Sequence, residues 1–153
     1  MIEAGDTLPD MDLTAPDGST VKLSDYHGKK LVLFFYPKAS TPGCTTESKD
    51  FSTLLPEFAK AGAAVLGMSA DTPKRQQNFI TKQGLTVDIA SDESTEFLTK
   101  IGVWAEKKMY GKTYMGIIRS TFLIGPDGKV LQAWPKVKVK GHADEVLAAV
   151  QAA

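Results

Sequence analysis

The segment Leu31–Tyr36, with the sequence LVLFFY, decides the fold prediction for this chain. All six of its residues are apolar or aromatic and most are β-formers, as in a strand that is buried on both faces. Pro37 ends the strand, because proline lacks the N–H group that a sheet ladder needs. A second run of this kind, Ala63–Ser69, follows a segment with apolar residues at helical spacing, namely Phe51, Leu54, Leu55, Phe58 and Ala59. The centre of the chain is therefore predicted to be a strand-helix-strand unit.

Two hairpins are predicted on either side of this unit. Met11–Thr14 and Thr20–Leu23 flank the turn sequence APDG, and Ser120–Ile124 and Val130–Trp134 flank the turn sequence GPDG. Pro, Asp and Gly in succession favour a tight turn. Each hairpin adds an antiparallel pair of strands to the predicted sheet.

Helices and one short strand account for much of the remaining chain. Thr72–Gly84 is predicted to be a helix, with a proline in its first turn and a glycine at its end. Val87–Ala90 is a candidate strand, and Glu93–Ile101 a candidate helix closed by a glycine. An amphipathic helix is expected over Ala143–Ala152.

Strands that alternate with helices predict an α/β layer fold. We expect one domain over residues 1–153, because a chain of 153 residues can bury a sizeable core without disulfides or a metal. The order of elements fits a thioredoxin-like fold, with a mixed central sheet, helices on both faces and an N-terminal β-hairpin.

The overall composition argues against several classes of function. Eighteen basic side chains balance eighteen acidic ones, so the net charge favours neither nucleic acid nor an anionic membrane. No apolar run approaches the roughly 20 residues that span a bilayer, and the start MIEAGDTLPD lacks the features of a secretory signal. A single cysteine cannot form an intramolecular disulfide. We therefore expect a cytoplasmic protein.

Cys44 lies in the segment FYPKASTPGCTTE, which joins the buried strand to the helical pattern. This position predicts that Cys44 lies in the first turn of a helix, where unpaired N–H groups and the helix dipole favour the thiolate. The alternative is a small buried hydrophobe, the usual environment of a lone cysteine. Its polar and turn-forming neighbours argue against an apolar pocket, so we expect an exposed, reactive thiolate.

The pattern Pro37-x-x-x-Thr41-x-x-Cys44 matches the active-site signature of peroxiredoxins. The longer string YPKASTPGCTTE resembles the bacterioferritin comigratory protein branch, also called peroxiredoxin Q. Three other segments resemble that branch in the same order: WAEKKMYGK from Trp104, RSTFL from Arg119 and VKVKGHAD from Val137. The resemblance therefore covers nearly the whole chain.

The resemblance implies a thiol peroxidase that serves antioxidant defence and reduces hydrogen peroxide and organic hydroperoxides without metal, flavin or haem. Cys44 would attack the peroxide and become a sulfenic acid. Thr41 would hold the peroxide and the thiolate through its hydroxyl group, and Pro37 would shield the thiolate from water. Arg119 would place a cation beside the sulfur, and Glu47 would orient that arginine.

The chain departs from many members of this branch because it has no second, resolving cysteine. Lys49 and Ile80 stand at the two positions where that residue commonly occurs. The resemblance then implies a one-cysteine form whose sulfenic acid needs an external thiol, such as thioredoxin, glutaredoxin or glutathione. The sequence leaves open whether a cysteine was removed from either position by engineering. Members of the branch are often monomers, and we expect a monomer here.

Each of these residues also has an ordinary interpretation. Arg119 could pair with an acid at the surface, and Thr41 and Glu47 could be the capping hydroxyl and early acid of a helix start. His27 and His142 are expected to be exposed or capping residues, with no metal-ligating cluster around them.

Two other classes of function remain as alternatives to an enzyme: a redox-regulated binding protein, and a thioredoxin-like module with an inert thiol. Either would react with peroxide no faster than free cysteine does.

Overall fold

A mixed sheet of seven strands runs through the structure, a computed structural model that describes residues 1–153. A separate hairpin forms a second, two-stranded sheet. The strands are β1 Asp12–Thr14, β2 Thr20–Lys22, β3 Lys30–Phe35, β4 Ala63–Ser69, β5 Asp88–Ser91, β6 Trp104–Met109, β7 Lys112–Ile117, β8 Ser120–Ile124 and β9 Val130–Trp134.

The order across the large sheet is β2-β1-β5-β4-β3-β8-β9, and β6 pairs with β7 alone. Strands β3, β4 and β5 run parallel, as the predicted strand-helix-strand unit requires, whereas β8 is antiparallel to β3. Both predicted hairpins, β1–β2 and β8–β9, are present. The α/β prediction and the mixed sheet are confirmed.

Four α-helices accompany the sheet: α1 Pro42–Lys60, α2 Pro73–Gln83, α3 Glu96–Ile101 and α4 His142–Ala152. A short 3-10 helix follows β2 over Leu23–Tyr26. The ends of α2 follow the sequence prediction, because the Thr72 hydroxyl accepts a hydrogen bond from the Arg75 N–H group and Gly84 adopts a left-handed conformation. None of the helices combines the length and apolar character needed to cross a bilayer.

Alternate side chains of β3 divide the core into two halves. Val32, Phe34 and Tyr36 face the half that holds α1, α2 and α4, whereas Leu31, Leu33 and Phe35 face the half that holds α3. The continuous apolar run LVLFFY therefore reflects burial on both faces of a central strand. Helices cover both faces of the sheet, as predicted.

The structure corrects the sequence interpretation in three places. The expected helix over Glu93–Ile101 begins only at Glu96, because Thr95 adopts a left-handed backbone with φ 60°. The alternation of lysines 136, 138 and 140 with valines predicts a strand whose lysines face water. These lysines are exposed, but their segment is not a strand. The hairpin β6–β7 was not predicted. Its tight turn is Tyr110-Gly111, two residues with positive φ.

Gly67 on β4 explains how the aromatic core reaches helix α1. It is the partner of Phe34 in the β3–β4 register, and a Cβ atom at Gly67 would lie 2.5 Å from Phe34 Cζ. The Phe34 ring therefore lies over this glycine, and it stacks on Phe51 of α1 with ring centroids 4.6 Å apart. Space at one glycine thus sets how α1 packs on the sheet.

We expect Gly67→Ala to lower the free energy of unfolding by about 1–3 kcal/mol, because the added methyl group overpacks the Phe34–Phe51 stack. Urea unfolding followed by tryptophan fluorescence measures this loss. Gly125→Ala is the control, because a Cβ atom there would meet only flexible side-chain atoms, at 3.1 Å and beyond. Equal losses in the two variants would contradict this account of the packing.

Candidate active site

Cys44 is the third residue of α1, so its predicted place in the first turn of a helix is confirmed. The expectation of an exposed thiol is wrong, because Cys44 is only 1% exposed. Cys44, Phe51 and Phe58 are spaced seven residues apart, which places all three on the helix face that packs into the core. The polar and turn-forming neighbours that suggested exposure point elsewhere, and Pro42, Gly43 and Thr46 are exposed.

Arg119 joins the cysteine to the predicted acid. Its Nη2 group donates to Cys44 Sγ at 3.2 Å, and its Nη1 group donates to Glu47 Oε1 at 2.7 Å. Cys44 and Glu47 are three residues apart on one face of α1, and Arg119 lies in the short link between β7 and β8. A cation thus stands beside the only thiol of the chain, held there by a buried carboxylate.

Burial and charge act on this group together. Burial raises the pKa of Glu47 to about 7, and the Arg119 guanidinium limits the rise. Burial alone would lower the pKa of Arg119, but the negative charges of Glu47 and Cys44 outweigh it and raise that pKa above its ordinary value. The Arg119 side chain is 18% exposed and that of Glu47 1%, so this ion pair is not a solvated surface contact. Glu47 Oε2 is buried with no hydrogen-bond partner.

Thr41 and Pro37, the other two predicted site residues, make no side-chain hydrogen bond to this group. Thr41 is the N-cap residue of α1, but its hydroxyl makes no cap bond and donates instead to the Lys38 carbonyl at 2.7 Å. Both residues line an open cavity of about 540 Å³, whose other wall includes Trp104 and Ile117. The cavity wall includes neither Cys44 nor Arg119, which is consistent with the burial of the sulfur. Tyr110, in the turn of the β6–β7 hairpin, is 96% exposed and does not line this cavity.

Asp71 holds the loop between Pro37 and Thr41, a role that sequence reasoning missed. Its Oδ2 atom accepts from the Ala39 N–H group at 2.7 Å and from the Ser69 hydroxyl at 2.6 Å. Ser40, which follows Ala39 in the chain, has φ 66°, a conformation that costs free energy in a non-glycine residue. A buried carboxylate therefore fixes the loop immediately before α1. The only sequence signal was an acid placed two residues after a buried strand.

Neither histidine contributes to the site. His142 was expected to be exposed or capping, but it is 4% exposed and its Nε2 atom lies 2.8 Å from the Thr121 hydroxyl. The rings of Phe51 and Trp134 pack edge-on against it, which explains its burial. His27 is exposed. Nowhere in the structure do three or more His, Cys, Asp or Glu side chains lie close enough to share a metal ion.

Comparisons with known proteins show which proteins this chain resembles. The AhpC/TSA family profile matches residues 4–133. Peroxiredoxin Bcp of Xanthomonas campestris is 52% identical over 143 residues, which cover 94% of this chain and 89% of that protein. Peroxiredoxin Bcp of Bacillus subtilis is 46% identical over 146 residues, which cover 95% and 93%.

Solved structures give the same result. The bacterioferritin comigratory protein of Xanthomonas campestris, studied for its alkyl peroxide reduction activity, has a TM-score of 0.91 and 50% identity, and the match covers 97% of this chain and 98% of that one. A cysteine-to-serine variant of PrxQ from Xylella fastidiosa has a TM-score of 0.94 and 43% identity, with 99% and 97% covered. The resemblance inferred from the motifs is confirmed.

We expect Glu47 to make the free energy of unfolding decrease as pH rises towards and through 7, so that Glu47→Gln removes this contribution. Below about pH 4.5 both states hold the Glu47 proton, and between 4.5 and about 7 only the folded state does. Unfolding then releases a proton, so the contribution is complete below 4.5 and lost as pH passes 7. Urea unfolding at pH 5 and pH 8 measures it. Glu57→Gln, on an exposed part of α1, is the control, and an unchanged slope in Glu47→Gln contradicts the prediction.

We expect Asp71→Ala to lower the free energy of unfolding by about 1–3 kcal/mol, because the buried Ala39 N–H group loses its acceptor. Hydrogen exchange at the Ala39 amide, followed by NMR, should become faster. Asp71→Asn keeps an acceptor oxygen and should lose less. Ser69→Ala is the control, since it removes a different donor to the same carboxylate. Unchanged protection of the Ala39 amide in Asp71→Ala would refute the assignment.

Proposed function

The chain belongs to the AhpC/TSA family and is a thiol peroxidase, and from this premise we propose that Cys44 reduces hydrogen peroxide and organic hydroperoxides through a sulfenic acid that an external thiol then resolves. The contact of Arg119 with both Cys44 Sγ and Glu47 Oε1 is the observation that carries the proposal. A fixed cation at a buried sulfur stabilises the thiolate, which is the nucleophilic form of cysteine.

The first step is a displacement at the terminal oxygen of the hydroperoxide. The Cys44 thiolate attacks that oxygen, an S–O bond forms, and the O–O bond breaks. The electron pair leaves with the other oxygen, which takes up a proton to become an alcohol or, from hydrogen peroxide, water. Cysteine is thereby oxidised by two electrons to the sulfenic acid.

Arg119 acts on the charge that moves during this step. Negative charge shifts from the sulfur to the departing oxygen, and a forked guanidinium can donate to both. Glu47 orients the fork by accepting one of its donors. We propose that the Thr41 hydroxyl, now bonded to the Lys38 carbonyl, turns to hold the peroxide, and that Pro37 limits the access of water to the sulfur.

Resolution requires a thiol from outside, because the chain contains a single cysteine. An external thiolate attacks the sulfur of the sulfenic acid, an S–S bond forms and the S–O bond breaks. The departing hydroxide takes up a proton to become water, and a second thiol then frees Cys44 from the mixed disulfide. Cys44 is 1% exposed, so the first turn of α1 must open before the attack. Thioredoxin, glutaredoxin and glutathione are the candidate reductants.

We also propose that residues 1–153 act as one domain and as a monomer in antioxidant defence in the cytoplasm. A lone free thiol fits a reducing compartment. Size-exclusion chromatography with light scattering tests the monomer, for which a mass near 16.5 kDa is expected.

Stopped-flow mixing of the reduced protein with hydrogen peroxide tests the central proposal. We expect a second-order rate constant orders of magnitude above that of free cysteine. Cys44→Ser should abolish the reaction, and Arg119→Ala should slow it by about 10²–10³-fold, the loss typical of removing one donor to a developing anion. Trp104, at the cavity, provides the fluorescence signal.

Two further variants sharpen the result. Arg119→Lys keeps the charge but loses the fork, so it should retain part of the rate. Thr41→Val keeps the shape of the side chain and removes the hydroxyl, so it should slow the reaction. A sulfenic-acid reagent and mass spectrometry identify the product on Cys44. A wild-type rate equal to that of free cysteine, and insensitive to Arg119, would reject the peroxidase site in favour of a sensor or an inert thiol.

A further inference from the structure

Lys107 is a cation close to the candidate active site with no role in the mechanism so far. It lies on β6, is partly buried and lines the same cavity as Thr41 and Pro37. Its Nζ atom donates to the Ile117 carbonyl at 2.8 Å, across the β6–β7 hairpin. This carbonyl belongs to the last residue of β7, two residues before Arg119.

The path of the Lys107 side chain depends on Gly116. A Cβ atom at Gly116 would lie 3.0 Å from Lys107 Cδ, closer than an ordinary contact allows. The backbone of Gly116 does not have a positive φ, so its conformation alone does not require glycine. The missing side chain instead leaves room for the lysine to reach the end of β7.

The link that carries Arg119 is fixed by hydrogen bonds on several sides. The Ile118 N–H group donates to the Val103 carbonyl at 2.8 Å, and the Ser120 hydroxyl donates to the Ile118 carbonyl at 2.9 Å. The Arg119 carbonyl accepts from the Val137 N–H group at 2.9 Å. Lys107 supplies the only side-chain bond to Ile117, the residue where the two-stranded sheet passes into the link.

The charge of Lys107 also interacts with the site. Burial lowers the pKa of Lys107, the Arg119 charge lowers it further, and Cys44 has the opposite effect. The lysine is therefore held near a second cation at a cost, which its bond to the Ile117 carbonyl offsets. A surface lysine without a structural role would extend its ammonium group into water instead.

We propose that Lys107 is a positioning residue for Arg119, which holds the end of β7 through the Ile117 carbonyl, and that Gly116 is required to leave its path open. This inference rests on the proposed function, since the effect appears in the reaction of Cys44 with peroxide. Arg119 contacts two partners at short distances, so a small displacement of its backbone weakens both contacts.

The test is a double-mutant cycle on the rate of peroxide reaction. Lys107→Met keeps the length and removes the donor, and we expect the second-order rate constant to fall by about tenfold. In an Arg119→Ala background the same change should have no further effect, because a positioning residue acts through the residue that it positions. A loss of rate that persists without Arg119 would overturn the proposal and assign Lys107 a direct effect on the thiolate or the peroxide.

Further variants separate positioning from general loss of structure. Lys107→Arg can still donate to the Ile117 carbonyl and should restore most of the rate. Gly116→Ala keeps the lysine but displaces it, and should slow the reaction less than Lys107→Met. Lys108→Met, at the adjacent exposed position of β6, should leave the rate unchanged. Circular dichroism and urea unfolding of each variant check that the fold is intact.

The outcomes distinguish this inference from the proposed function. A slow wild-type protein rejects the peroxidase site itself. A fast wild-type protein with an equally fast Lys107→Met variant rejects only the role of Lys107. The role of Lys107 is supported by three results together. The wild-type protein reacts fast, the Lys107→Met variant is folded but slow, and the same change causes no additional loss in the Arg119→Ala background.

Discussion

The guanidinium group of Arg119 is the constraint on which the rest of the candidate site depends. It contacts the thiol and the buried carboxylate at the same time, so the positions of α1 and of the β7–β8 link must agree to within a fraction of an ångström. The helix is fixed by the aromatic stack over Gly67, and the link by hydrogen bonds with Val103, Ser120 and Val137. Packing far from the sulfur therefore determines the electrostatics at the sulfur.

The sequence predicted most of this arrangement, because its strongest patterns are local. The apolar run of β3, the turn sequences of the hairpins and the proline-to-glycine limits of α2 each lie within about a dozen residues. The first-turn position of Cys44 follows from the same local order. Its burial does not, because the residues beside it in sequence are exposed, and the seven-residue spacing to Phe51 and Phe58 carries the information instead.

Local sequence patterns do not predict the contacts of Arg119, Asp71 and Lys107. Arg119 and Cys44 are 75 residues apart, and only the family resemblance brought them together before the structure did. The bond from the Ala39 N–H group to Asp71 spans 32 residues and leaves no periodic signal. The hairpin that carries Lys107 has a tight Tyr-Gly turn, but its strands alternate weakly because most of their residues are exposed. Long-range polar contacts of this kind are set by the tertiary fold alone.

Burial of Cys44 creates a conflict within the proposed cycle, and the chemistry of the first step relieves it. A buried, fixed sulfur suits the attack on peroxide, because the Arg119 donors are already in place as charge moves. The same burial obstructs an external thiol. Oxidation converts the thiolate into a neutral sulfenic acid, so the charge-assisted bond from Arg119 to the sulfur weakens while its bond to Glu47 persists. In the proposed cycle, the restraint on the first turn of α1 would therefore loosen after oxidation, at the stage when the sulfur must become exposed. In a chain with one cysteine, this change of charge gives access to the external thiol, which takes the place of a resolving cysteine.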